Sequence, residues 1–398
     1  MHIITSAISF ILMGFLFKKI KVVKNIWQHG LQILILVILF LKLGIFIKQL
    51  ILIFIMKALV LEEYNKLVYR DWPDPVVAPD EVLVRVKAAG ICGSDVHGMD
   101  GSTGRRIPPI IMGHEAAGVI VETGSDVKDW KAGDRVTFDS TIYPLNDWFT
   151  LKGMYNLSDN RMVLGVSPGE YRRHGAFAEF VNIPQHILYR IPDQVTFTQA
   201  AMVEPVAVAA HAARLASPSW NESAVVVGAG MIGLFVIQIL RSAGCGNIIA
   251  IDTDQAKLEL AAKLGADHSF NPVTVNTAEK VLHLTSGRGS DHAFEAAGLG
   301  ESVITAIESV RKGGTVTLIG NLSPSVDLPL QSVVTRQIRL QGSCAICGEY
   351  PAVLEMMARK EINTGILLSA EAPLAEGPEW FSRLYRKEPG LVKVVLLP

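Results

Sequence analysis

Cysteine is scarce: 398 residues hold only Cys92, Cys245, Cys344 and Cys347. So few thiols in so long a chain exclude a disulfide-built fold and fit a reducing compartment such as the cytoplasm. Charge is thin as well, and a formal net charge of −1 excludes the basic footprint of a nucleic-acid-binding domain. The first 55 residues lack Asp, Glu, Pro and Arg altogether, yet carry 14 Ile and six Lys. Residues 56–398 therefore keep 31 basic against 38 acidic side chains, a mildly acidic body.

The N-terminal segment also lacks a long uninterrupted apolar run. In its second half the longest, Ile33 to Leu41, falls short of the roughly 20 residues that cross a bilayer. Its start has neither the basic region nor the small-residue cleavage site of a secretory signal. Residues 1–55 thus read as a hydrophobic extension with two explanations. One is upstream AT-rich sequence translated from a start codon that is not the native one, with Met56 as the working start. The other is a membrane or interfacial segment, which would make the protein membrane-associated.

The length exceeds the roughly 250–300 residues that one core organises, so two domains are expected. From Lys57 to Leu61, Glu81 to Ala89, Ala117 to Glu122 and Arg135 to Phe138 the chain is strand-like, with a Pro-rich turn at 73–79 and few helix signals before about residue 196. After Asn221 strands and helices alternate. Strands are predicted at Ala224–Val227, Ile248–Ile251, His292–Glu295, Thr315–Ile319 and Ile338–Leu340, and helices at Met231–Ala243 and Gln255–Leu264. That alternation predicts an α/β, doubly wound parallel sheet of the Rossmann type.

A glycine fingerprint, Gly228-Ala-Gly230-Met231-Ile232-Gly233, leaves one of these strands and opens a helix. Gly228 permits the tight turn, Gly230 leaves room for a pyrophosphate, and Gly233 lets helix and strand approach. Asp252 ends the next strand 19 residues beyond Gly233, where a carboxylate accepts bonds from ribose hydroxyls and repels a 2′-phosphate, favouring NAD over NADP. Lys257 completes the set expected around the dinucleotide.

Four side chains that can hold a metal are Cys92, His114, Glu115 and Glu204. Catalytic zinc takes three N, O or S ligands and an exchangeable fourth. Taken singly, Cys92 reads equally as a small buried hydrophobe, His114 as a core histidine and Glu204 as a helix-start carboxylate.

The motifs Gly90-Ile-Cys-Gly-Ser-Asp95, Gly113-His-Glu-Ala-Ala-Gly118, Gly133-Asp-Arg-Val136 and Val203-Glu-Pro205, with the fingerprint and Asp252, resemble the zinc-dependent medium-chain dehydrogenases. Within them the likeness is to the sorbitol (L-iditol), threonine and galactitol-1-phosphate dehydrogenase branch. The resemblance implies a β-rich GroES-like catalytic domain at 56–205 and 346–398 around a Rossmann domain at 206–345. It implies that Cys92, His114 and either Glu115 or Glu204 surround one catalytic Zn²⁺, the glutamates exchanging, and that Ser94 and His97 form a proton relay. The implied reaction is NAD⁺-dependent oxidation of an alcohol or polyol to a ketone by a homodimer or homotetramer. Alternatives of other classes are a zinc-free quinone or enone reductase and a non-catalytic NAD-binding scaffold.

The family's structural-zinc cysteines are missing. Pro144, Asp147, Thr150 and Ser158 stand there, so a second zinc is expected to be absent and the lobe to be held by burying Trp148, Phe149 and Tyr155. Cys344-Ala-Ile-Cys347 has redox spacing but follows a strand, so packing is its simpler role, and Cys245 reads as a small turn residue. Glu170, Tyr171, Arg172, Arg173 and His174 form a polar stretch read as a solvated loop or a contact for phosphate or polyol. Arg311 and Lys312 read as the charged end of a helix.

Overall fold

A computed structural model describes residues 37–42, 55–166 and 173–398. The expectations for the N-terminal extension, apart from its exposed helical stretch 37–42, and for Glu170, Tyr171 and Arg172 lie outside those residues. No helix among the described residues is long and apolar enough to cross a membrane. The chain divides into two units, Met1–Ile55 and Met56–Pro398.

Within the larger unit, six strands among the described residues form a parallel sheet. Their order is His268–Phe270, Asn247–Ile251, Ser223–Val227, Ser290–Glu295, Val310–Leu318 and Arg339–Gly342. This doubly wound order reverses between Ser223–Val227 and Ser290–Glu295, the point at which such sheets bind ligands outside the carboxyl ends of their strands. The strand cores are β-branched and buried on both faces, as in Ala224–Val227 and Ile248–Ile251. Helix Met231–Ser242 buries Leu234 through Leu240 without a break. Such an all-round apolar helix must be covered on every side. It lies between the sheet and helix Val203–Ala216, and each large side chain so buried contributes roughly 1.5–3 kcal/mol.

A second, mostly antiparallel sheet has as its path Leu188–Arg190, Arg135–Phe138, Glu115–Thr123, Glu81–Gly90, Lys393–Leu397 and Leu368–Pro373, with Phe180–Pro184 also on Glu81–Gly90. Its register builds the site. Gly90 pairs with Glu115 on one side and Val395 on the other, so the loops leaving these strands converge.

Three local expectations are corrected. In the part where few helices are expected, the stretch after Ile91 contains a helix, Gly93–Gly98, with Cys92 as its N-cap, because the Asp95 carboxylate reaches back to the Cys92 N–H at 3.4 Å. Arg311 and Lys312 lie in the strand Val310–Leu318 rather than at a helix end, and Arg311 pairs with Asp291 at 2.7 Å. Trp148 is 63% exposed and does not anchor the zinc-lobe stretch.

Candidate metal and nucleotide site

The strand register brings Cys92, His114 and Glu115 together, with one ligand atom from each within 4.8 Å of the others. His114 and Glu115 are buried, and Glu115 Oε1 is enclosed without a hydrogen-bond partner. A thiol, an imidazole and an orphaned carboxylate oxygen at this separation suit a zinc ion. Glu204 falls outside that trio. It sits in the first turn of helix Val203–Ala216, where burial and the neighbouring Glu115 charge push its pKa up to about 8.

Glu115 Oε2 takes an ion pair from Lys393, whose side chain is fully buried and also donates to the Ile91 carbonyl at 3.0 Å. Burial opposes the Lys393 charge, yet the Glu115 carboxylate keeps its pKa raised. Gly90 makes room for the pair: a Cβ there would stand 2.6 Å from Glu115 Oε2 and 2.8 Å from Lys393 Cε.

Behind the trio, Asp95 Oδ1 lies 2.8 Å from Arg106 Nη2 and 3.4 Å from His114 Nδ1. Burial works against the ionised Asp95, but His114 and Arg106 hold its pKa below the ordinary carboxylate range. Burial likewise opposes a charged His114, while Asp95 and Cys92 raise its pKa well above the usual value. Ser94 Oγ donates to Cys92 Sγ at 3.3 Å. His97 is exposed three residues on, along the same short helix.

The zinc-lobe stretch is held by polar contacts. Tyr155 stacks on Tyr143 at 4.2 Å, and its hydroxyl donates to Asp139 at 2.7 Å and accepts from the Gly348 N–H at 2.8 Å. Asn156 donates to the Cys344 carbonyl at 2.8 Å, and Cys347 Sγ donates to the Gly153 carbonyl at 3.0 Å. At the former cysteine positions, Asp147 caps helix Trp148–Leu151 and binds the Thr150 hydroxyl. Cys344 and Cys347 therefore belong to a packed loop, and Cys245 is buried. Arg173 is ion-paired to Glu81, and His174 Nδ1 accepts from the Ile111 N–H, so both serve the fold.

In the nucleotide domain Gly228 has φ +95°, where a side chain would be strained, and a Cβ on Gly233 would stand 1.8 Å from the Gly228 carbonyl oxygen. A Cβ on Gly230 would meet nothing within 4 Å, which leaves open the space a pyrophosphate requires. Met231 and Ile232 open the following helix, whose first N–H groups favour an anion. Asp252 accepts from the Ala229 N–H at 2.7 Å, tying the fingerprint turn to the end of the next strand. Lys257 lies half-buried near the start of helix Gln255–Lys263.

Lys393, Arg106 and Asp139 are the residues that sequence reasoning missed. Lys393 carried the one available signal, a lysine opening the otherwise apolar strand Lys393–Leu397.

The family model for the alcohol dehydrogenase GroES-like domain matches residues 78–193, and that for zinc-binding dehydrogenase matches residues 232–359. Sorbitol dehydrogenase of Pongo abelii is 31% identical over 344 residues, covering 85% of this chain and 95% of the relative. 2R,3R-butanediol dehydrogenase from Bacillus subtilis is 29% identical with a TM-score of 0.79, covering 86% of this chain and 99% of that one. A zinc-binding dehydrogenase from Sinorhizobium meliloti 1021 bound to NADP is 30% identical with a TM-score of 0.79, over the same shares of the two chains. The convergent thiol, imidazole and carboxylate, the doubly wound parallel sheet and these matches agree, and the chain belongs to the zinc-binding, GroES-like alcohol dehydrogenase family.

Proposed function

We propose that this protein oxidises a secondary alcohol of the polyol class to a ketone, passing a hydride from the carbinol carbon to C4 of NAD⁺ and releasing the hydroxyl proton. The observation that carries the reading is the cluster of Cys92, His114 and Glu115, with Glu115 Oε1 left unpartnered. These three residues would hold one zinc ion, and Glu204, whose pKa the Glu115 charge helps to raise, is the second carboxylate able to enter the shell. When bound, zinc is a Lewis acid that acidifies the substrate hydroxyl.

The chain's own residues do the rest. Asp95 steadies the His114 ring, and Lys393 holds one oxygen of Glu115, leaving the other free. Ser94 takes the hydroxyl proton as it releases its own hydrogen, and His97, one helical turn on and exposed, passes that proton to solvent. The carboxylate of Asp252 favours a free ribose 2′-hydroxyl and so NAD⁺, whereas the NADP-bound relative supports a second reading, NADP⁺. Our reading includes one zinc per chain, since the former cysteine positions carry no thiolate. It also includes a homodimer or homotetramer in a reducing compartment.

The test counts metal in the full-length protein and follows reduction of NAD⁺ and NADP⁺ with sorbitol, iditol, galactitol and butane-2,3-diol. One zinc per chain and NAD⁺-linked turnover are expected. Cys92→Ala is expected to lose at least about a thousandfold in rate, the scale of lost electrophilic catalysis, and to keep NADH binding. Turnover in zinc-free protein, or a Cys92→Ala variant at full rate, overturns the reading.

A further inference from the structure

We infer that Arg106 is a positioning residue for the Ser94 hydroxyl, an inference that rests on the role proposed for Ser94. Of the adjacent pair Arg105 and Arg106, the first is exposed and the second 2% exposed. One nitrogen of its guanidinium, Nη2, meets two acceptors, Asp95 Oδ1 at 2.8 Å and Ser94 Oγ at 3.2 Å. That nitrogen carries two hydrogens in a fixed plane, so a single planar group serves both acceptors at once.

The consequence for Ser94 is directional. Its oxygen accepts from Arg106 and its own hydrogen points to Cys92 Sγ, so one lone pair is left to meet the substrate hydroxyl, whose proton Ser94 takes as its own hydrogen leaves towards His97. Asp95, the other acceptor, is the carboxylate beside His114. Arg106 thus spans the imidazole's partner and the proton acceptor.

Two features show that the fold holds the guanidinium there. Gly98 is bare beneath its stem, and a Cβ at that position would stand 2.5 Å from Arg106 Cγ. Arg106 Nε is buried with no partner, so the side chain is not placed to satisfy all of its own donors. An ammonium in place of the guanidinium neutralises Asp95 but lacks the planar fork.

A double-mutant cycle in the zinc-loaded, full-length protein tests this with Arg106→Lys, Ser94→Ala and their combination. Zinc content, NADH binding, kcat and KM are read for a secondary alcohol. Ser94→Ala should lower kcat by about a hundredfold or more, the scale of general-base catalysis. Arg106→Lys should keep zinc and NADH binding and lower kcat roughly tenfold or more with little change in KM, the mark of lost orientation. In the Ser94→Ala background, Arg106→Lys should cost less than about twofold, because the group it positions is gone.

Additive losses overturn the inference about Arg106 and leave the Ser94 reading intact. An unchanged Ser94→Ala rate overturns the Ser94 reading itself. Arg106→Gln, which keeps a planar NH₂ donor without charge, repeats the cycle if Arg106→Lys loses zinc. Loss of zinc or fold in both variants assigns Arg106 to the framework and overturns the inference.

Discussion

Replacing Lys393 by methionine keeps an unbranched stem and removes the positive charge that pairs with Glu115 in a fully buried ion pair. Removing one partner from such a pair strands the other charge, at a cost of about 3–5 kcal/mol. At about 2.1 cal/mol/K of unfolding entropy per residue, a chain of 398 residues shifts by roughly 1 °C per kcal/mol, so metal-free protein should melt about 5 °C lower. The Ile91 carbonyl also loses its donor, which acts in the same direction. With zinc present the balance changes, because a cation at Cys92, His114 and Glu115 supplies the countercharge that Lys393 no longer gives. The loss should then shrink by roughly 1.4–2.8 kcal/mol, which by linkage appears as zinc binding about 10–100-fold tighter in the variant. Thermal melts of chelator-treated and zinc-loaded protein, with competition titrations of zinc, measure both halves of that cycle. Equal losses with and without zinc, together with an unchanged zinc affinity, would refute the claim that Glu115 serves the metal.

Two other perturbations address the surroundings of the site. Burial pushes the Asp139 pKa up to about 6, against the pull of its bonds to Thr141 and Tyr155. The folded state therefore prefers the protonated form, and its contribution, about 3 kcal/mol, is present below pH 4 and lost as pH rises through 6. Asp139→Asn should flatten that part of the stability–pH curve in urea melts, and an unchanged slope would show Asp139 to titrate normally. Tyr155→Phe removes one donor to a buried carboxylate and one acceptor from Gly348, and should cost about 2–3 kcal/mol, whereas exposed Trp148→Ser should stay within about 0.5 kcal/mol. Denaturant midpoints compare the two, and a larger loss from Trp148→Ser would restore the apolar account of the lobe.

How much of this could be read from the chain depends on the range of the interaction. The nucleotide half was legible because its signals are local. A glycine with φ +95°, a strand of β-branched residues and a carboxylate at the next strand end all occur within one βαβ unit. The trio Cys92, His114 and Glu115 was legible as residue types in motifs, while its closeness comes from one strand register, Gly90 against Glu115. Lys393 lies 278 residues from its partner, and only the closing of the catalytic sheet by the last strand puts them together. Arg106 was invisible for a different reason, since an arginine pair in a Gly- and Pro-flanked loop reads as solvated until burial picks out one of the two.

The lobe shows why an apolar account of its packing failed. Without thiolates, the obvious substitute in the sequence was aromatic burial, because Trp148, Phe149 and Tyr155 are the largest side chains nearby. A loop of this kind carries many backbone N–H and carbonyl groups, and those that become enclosed need partners before any apolar area can help. The structure supplies such partners through Tyr155, Asn156 and the loop at Cys344 to Gly348, and Trp148 is left outside. The same requirement governs the buried charges of the site, where Lys393 answers Glu115 and Arg106 answers Asp95. In both places a long-range polar partner, rather than hydrophobic burial, decides which conformation the chain holds.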